Sequence, residues 1–102
     1  MKNKTPVLGG VCISTQGRDK DKYYIISSID GEFVTVIDGK YKSIDAPKRK
    51  NLKHLYLLPE KAEEIAEKLL NGVKIYDAEI ISALKRYNKK PAQAEQIKES
   101  YV

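Results

Sequence analysis

Between Tyr23 and Asp45 the chain reads YYIISSIDGEFVTVIDGKYKSID, and this stretch decides the fold. Tyr23 to Ile29 is rich in β-branched and aromatic residues, which suit a pleated, half-buried surface and predict a strand. Asp30-Gly31 offers two residues that tolerate positive φ, the chemistry of a tight two-residue hairpin. From Glu32 to Ile37 alternation resumes, with Val34 and Val36 opposite Phe33, Thr35 and Ile37. Asp38-Gly39 repeats the turn signal, and Lys40 to Asp45 is expected as a further strand, with Tyr41 and Ser43 on one face and the lysines beside Ile44 on the other. Two such turns this close together are the signature of a β meander.

Working outward, Val7, Gly9, Val11 and Ile13 share one face by period-two alternation, and Leu8, Gly10, Cys12 and Ser14 share the other, so an opening strand is expected. Ser14 to Lys22, STQGRDKDK, is polar and reads as a loop. Downstream, Ala46-Pro47 breaks the meander, and Leu52 to Leu57 supplies a last short apolar strand. Five short strands in so few residues point to a small, strongly bent barrel, because a flat sheet of that size exposes both edges and one apolar face.

At Pro59 the period changes. Ala62, Ile65, Ala66, Leu69, Leu70 and Val73 fall on one helical stripe, Pro59 suits the first helical position, and Gly72 supplies a stop. The other face carries Glu60, Glu63, Glu64 and Glu67 against Lys61 and Lys68, so it repels phosphate and reads as a packing helix with a solvated side. Asp77 is expected to cap a second helix through Tyr87 or Asn88, with Ile80, Ile81, Leu84 and Tyr87 on its apolar stripe. Lys85, Arg86, Lys89 and Lys90 at its end suit the helix dipole. The pair has helix-turn-helix-like spacing, but ALKRY offers few groups to read base edges. From Pro91 onward periodicity is weak, and a flexible tail is expected.

The 102 residues set a soft limit of one globular domain with a small appendage, which excludes multidomain catalysis. No apolar run approaches the roughly 18 residues of a membrane span, and the start lacks the apolar region of a secretory signal. The single cysteine, Cys12, has no companion for a disulfide or a metal site. A cytoplasmic protein is expected.

The charge is concentrated. From Lys40 to His54 the sequence KYKSIDAPKRKNLKH holds Lys40, Lys42, Lys48, Arg49, Lys50 and Lys53 against Asp45 alone, a balance equal to the whole formal net charge of +5. A field confined to one stretch can hold phosphates, whereas the plainer reading is a solvated lysine-rich loop. His54 has no nearby acid or nucleophile in sequence and therefore no visible catalytic role. Tyr23, Tyr24 and Tyr41 are candidate stacking platforms, though such tyrosines more commonly belong to a core or its rim. Gly9-Gly10 is not followed by a helix, so no nucleotide-cradling loop is present. Nothing in the sequence builds an active site, a metal site or a cofactor site.

The segment GGVCISTQGRDKDKYYIISSI, Gly9 to Ile29, resembles a KOW motif: an apolar strand, a loop of the form G-[RK]-D-K, and a second alternating strand. Its continuation VIDGKYKSIDAPKRKNLKHLYLL, Val36 to Leu58, is similar to the rest of the SH3-like barrel in KOW-containing large-subunit ribosomal proteins. There a D-G turn and a basic P-K-[RK]-K-N-x-K-H-L stretch recur. The likeness covers roughly residues 6 to 58 and extends to small bacterial KOW-domain relatives with a short helical tail similar to AEEIAEKLLNG. One position departs: the family has glycine after the D-K pair, where this chain has Asp21. A glycine there eases a tight turn.

The resemblance implies a five-stranded SH3-like barrel over 5–58, a two-helix appendage over 59–90 and a tail over 91–102. It implies a non-enzymatic module that binds structured RNA, ribosomal RNA or the ribosome foremost, through Arg18, Lys20, Lys22, Lys40, Lys42, Lys48, Arg49, Lys50, Lys53 and His54. Structured RNA is the better partner than a DNA site, since shape and phosphate contacts need only a rigid basic surface. The alternative is a protein-interaction adaptor, because SH3-like barrels also bind proteins and the helical pair offers a docking face.

Overall fold

The computed structural model describes residues 5–87. They form a five-stranded antiparallel sheet of order β4-β3-β2-β1-β5, followed by two helices. The strands are β1 (Gly10–Ser14), β2 (Tyr23–Asp30), β3 (Phe33–Ile37), β4 (Lys48–Asn51) and β5 (Leu55–Lys61), and a single 3₁₀ turn, Leu52–His54, joins the last two. Helix α1 spans Glu63–Asn71 and helix α2 occupies 77–87. Asn88, Lys89, Lys90 and the expected tail over 91–102 lie outside the described residues.

Both faces of the sheet are buried. Val11, Ile25 and Ile37 stand side by side in the register and pack with Ile65 of α1 and Ile75, Ile80 and Leu84 in and before α2. Cys12, Tyr24, Ile26, Val34, Val36 and Leu55 form a second cluster on the opposite face. Irregularities between Ile26 and Ser28 and between Gly10 and Cys12 break the ladders, and such bulges bend and twist a sheet. The helices, expected as an appendage, contribute Ile65, Ile80 and Leu84 to the first cluster, and the connector between them adds Ile75, so they share the sheet's core. Two glycines allow this closeness. A Cβ on Gly9 would lie 2.6 Å from Ala66 Cβ of α1, and one on Gly39, whose φ is 80°, would lie 2.5 Å from the Asp77 carbonyl of α2.

Four expectations need correction. Lys40 to Asp45 is not a strand: the Asp38 carboxylate accepts the backbone N–H groups of Lys40, Tyr41 and Lys42 at 2.8–2.9 Å and winds the segment into a tight loop. An Asp side chain that captures its own following amides offers the backbone an alternative to a ladder. The fourth strand is Lys48–Asn51 instead. Helix α1 begins at Glu63, four residues after Pro59, which lies in β5. There Gly10 pairs with Lys61 and Cys12 with Leu57, so β5 carries extra residues at Pro59, and a proline is tolerated at such a bulge.

Asp77 does not cap α2 but accepts the Ile44 N–H at 2.9 Å, while the Glu79 carboxylate receives the Tyr76 N–H at 3.1 Å, half of a capping box. Finally, the first hairpin turns at Gly31-Glu32, one residue later than read, since Asp30 pairs with Phe33.

Candidate nucleic-acid interface

The β1–β2 loop is held from three sides. Asp21 N–H donates to Ser14 O at 2.7 Å and Ser14 N–H to Lys22 O at 3.0 Å, which extends the hairpin past the strand ends. The Thr15 N–H donates to His54 O at 2.9 Å, tying the loop to the 3₁₀ turn. Asp21 has φ 73°, the one non-glycine residue with positive φ among the described residues. The backbone thus keeps the left-handed turn that a glycine eases, and Asp is among the residues that tolerate it. Asp21→Gly is therefore expected to raise stability in urea unfolding by up to about 1 kcal/mol. A large loss would contradict this reading of the loop.

The third tie is a buried polar network. Lys50 Nζ lies 3.2 and 3.3 Å from the two Asp19 carboxylate oxygens and 3.1 Å from Ser14 Oγ, and its side chain is only 9% exposed. Tyr24 OH donates to Asp19 Oδ2 at 3.0 Å, and the Ser14 hydroxyl reaches Asp19 Oδ1 at 3.0 Å. Burial alone would raise the Asp19 pKa, but the hydrogen bonds from Ser14, Tyr24 and Lys50, with the ammonium charge, outweigh it and hold the carboxyl below its ordinary value. Burial likewise pushes the Cys12 thiol up to about 12, against the opposing charge of Lys50. A thiol so placed stays protonated and packed.

Lys50 faces inward because strand alternation splits the basic run. Lys50 pairs with Val34 and Lys48 with Val36, on the face of the second cluster, whereas Arg49 pairs with Thr35. Arg49 accordingly stacks its guanidinium over Phe33, 4.0 Å from the ring centre. Three consecutive cations therefore have three different surroundings: an open groove, an aromatic face and a partly buried carboxylate.

That groove, of about 510 Å³, is lined by Gln16, Gly17, Arg18, Asp19, Lys42, Lys48, Lys50 and His54. Residues from the first loop, the 38–42 loop, β4 and the 3₁₀ turn thus meet in one place. With Lys50 engaged by Asp19, the remaining cations are Arg18, Lys42 and Lys48, none of which forms a salt bridge among the described residues. Lys22 and Lys40, from the same two loops, line a second hollow with Tyr41. Lys20 is exposed in the 17–22 turn, and Lys53 lies beside Glu32 and Asn51, so neither lines the main groove.

The arrangement can hold anionic oxygens against a rigid frame. Lys48 stands on a strand of the packed sheet, Arg18 and Lys42 stand on loops closed by backbone hydrogen bonds, and no buried side-chain nitrogen or oxygen lacks a partner among the described residues. No cluster of three or more His, Cys, Asp or Glu able to hold a metal ion occurs among them. No helix among them is long and apolar enough to cross a membrane. Sequence reasoning missed Asp19, Ser14 and Tyr24 as the network that shapes the groove; the signal available was an acid, Asp19, set between Arg18 and Lys20 in a basic loop. No protein-family model matches the chain.

Proposed function

We propose that the protein is a non-enzymatic RNA-binding module, a KOW-type SH3-like barrel whose core is completed by two helices, and that it holds structured RNA, ribosomal RNA foremost. The observation that carries the reading is the groove in which Arg18, Lys42 and Lys48, from separate segments, converge with no salt-bridge partner among the described residues. Such a surface suits phosphates spaced along a folded RNA backbone, because phosphate contact needs fixed cations rather than an inserted reading helix. The strand–loop–strand unit over 10–30, the antiparallel order and the pairing of β1 with β5 support the barrel assignment. The reading implies a cytoplasmic, ribosome-associated location.

A protein-interaction adaptor is the second reading, favoured by a mixed groove of about 480 Å³ between β1, α1 and α2, lined by Val11, Ile65, Ala83 and Tyr87 among others. Co-sedimentation separates the two. The purified protein is expected to travel with ribosomes, and changing Arg18, Lys42 and Lys48 to glutamate is expected to release it. Retention after the triple change removes the site assignment, and failure of the unaltered protein to bind ribosomes or retain RNA overturns the RNA reading.

A further inference from the structure

Tyr41 stands out among the tyrosines. It is 70% exposed, yet the backbone beneath it is pinned, with the N–H groups of residues 40, 41 and 42 all directed at Asp38 Oδ1. The Asp38 and Gly39 N–H groups both donate to Lys42 O, at 2.9 and 3.1 Å, which closes the loop from the other side. Lys22 Nζ and Lys40 Nζ lie 5.1 and 5.8 Å from the Tyr41 ring centre. The three residues also line a hollow of about 300 Å³ with Tyr23, Asp38 and Ile81. Lys42, one residue on, lines the main cationic groove.

We propose that Tyr41 is a stacking platform for one unpaired nucleobase, with Lys22 and Lys40 taking the phosphates on either side of it. This rests on the RNA-binding reading and narrows its ligand to an RNA in which an unstacked base adjoins a structured stem. An aromatic face gives an exposed base a surface that tolerates any sequence. The ammonium groups of Lys22 and Lys40 lie over the ring, so a stacking base takes the place of one of them and frees it to swing onto an adjoining phosphate. Lys42 lines the main groove and its neighbour Tyr41 lines the second hollow, so one short loop presents both a phosphate contact and the stacking face. The other well-exposed tyrosines lack this setting. Tyr76 has the single cation Lys74 and lies beside Glu79, and Tyr56 has no cation over its ring among the described residues.

The test uses the full chain and two hairpin RNAs of identical stem, one fully paired and one carrying a single bulged 2-aminopurine. The unaltered protein is expected to bind the bulged hairpin about 5- to 100-fold more tightly and to quench its fluorescence, as stacking on one aromatic ring would. Tyr41→Ala should erase both the preference and the quenching while leaving the slope of log affinity against log salt unchanged, since no charge is lost. Tyr41→Phe should keep both. Equal binding of the two hairpins by the unaltered protein, or a preference that survives Tyr41→Ala, overturns this inference while leaving the RNA-binding reading intact. Failure to bind either hairpin at low salt overturns both.

Discussion

Replacing Lys50 by alanine is expected to cost about 1.5–3 kcal/mol of folding stability, the range for losing a hydrogen bond to a charged group. Lys50 is the ammonium against both oxygens of Asp19, and the two side chains are only 9% and 14% exposed. Without it a carboxylate remains in the loop with only the Ser14 and Tyr24 hydroxyls as side-chain donors. The expected loss is a large share of the roughly 5–15 kcal/mol that holds a domain of this size together. Urea unfolding measures it, and a Lys50→Ala protein as stable as the parent contradicts the account. The pH dependence follows with a defined sign. Because the folded Asp19 pKa is held below its ordinary value of 3.8, its stabilisation is complete above that value and is lost as the pH falls through the folded pKa. The stability gap between the parent and Asp19→Asn should therefore narrow only in acid below about pH 4.

Reversing Arg18, Lys42 and Lys48 to glutamate is expected to weaken RNA binding by at least about 100-fold at 0.1 M salt, since each phosphate contact contributes about 0.7–0.9 to the logarithmic salt slope. The three line one groove and carry no ion pair among the described residues, so their loss should leave the fold in place. Arg49 is the internal control. Its guanidinium rests on Phe33, on the face of β4 opposite Lys48, so Arg49→Gln should reduce affinity less than Lys48→Gln does. Reversing the contiguous trio Lys48, Arg49 and Lys50 would be a poor test, because Lys50→Glu sets a second carboxylate against partly buried Asp19.

The parts of the fold that were legible were those where one period acts alone. Tyr23 to Ile37 alternates with aromatic and β-branched residues, and it folds as two paired strands within a residue of the expected turn. The 3.6-residue stripe located both helices, and Gly72 ends α1 as expected, with φ 68°. Local periodicity could not say what the helices pack against, and Leu70 and Val73 of the expected stripe are exposed.

The strand Lys48–Asn51 was illegible because it contains no apolar residue: the buried position is filled by Lys50, and Asp19, 31 residues away, together with Ser14 makes that tolerable. Lys40 to Asp45 misled in the opposite way, since its alternation is real but a single carboxylate holding three amides outweighs it. The candidate site shows the same division. Charge density along the chain marked the stretch that holds Lys42, Lys48 and His54 of the groove, while the alternation of β4 decided which of its cations face the groove and which do not.

The most direct test of the central claim is a salt titration of binding to ribosomal RNA. If the cations of the groove and its neighbouring loop neutralise about four to six phosphates, log affinity should fall against log salt with a slope of roughly −3 to −5. The Arg18, Lys42 and Lys48 reversal should flatten that slope by about 2–3. A slope near zero in the unaltered protein, or one that the triple change leaves untouched, would contradict the claim that these side chains act together on a polyanion.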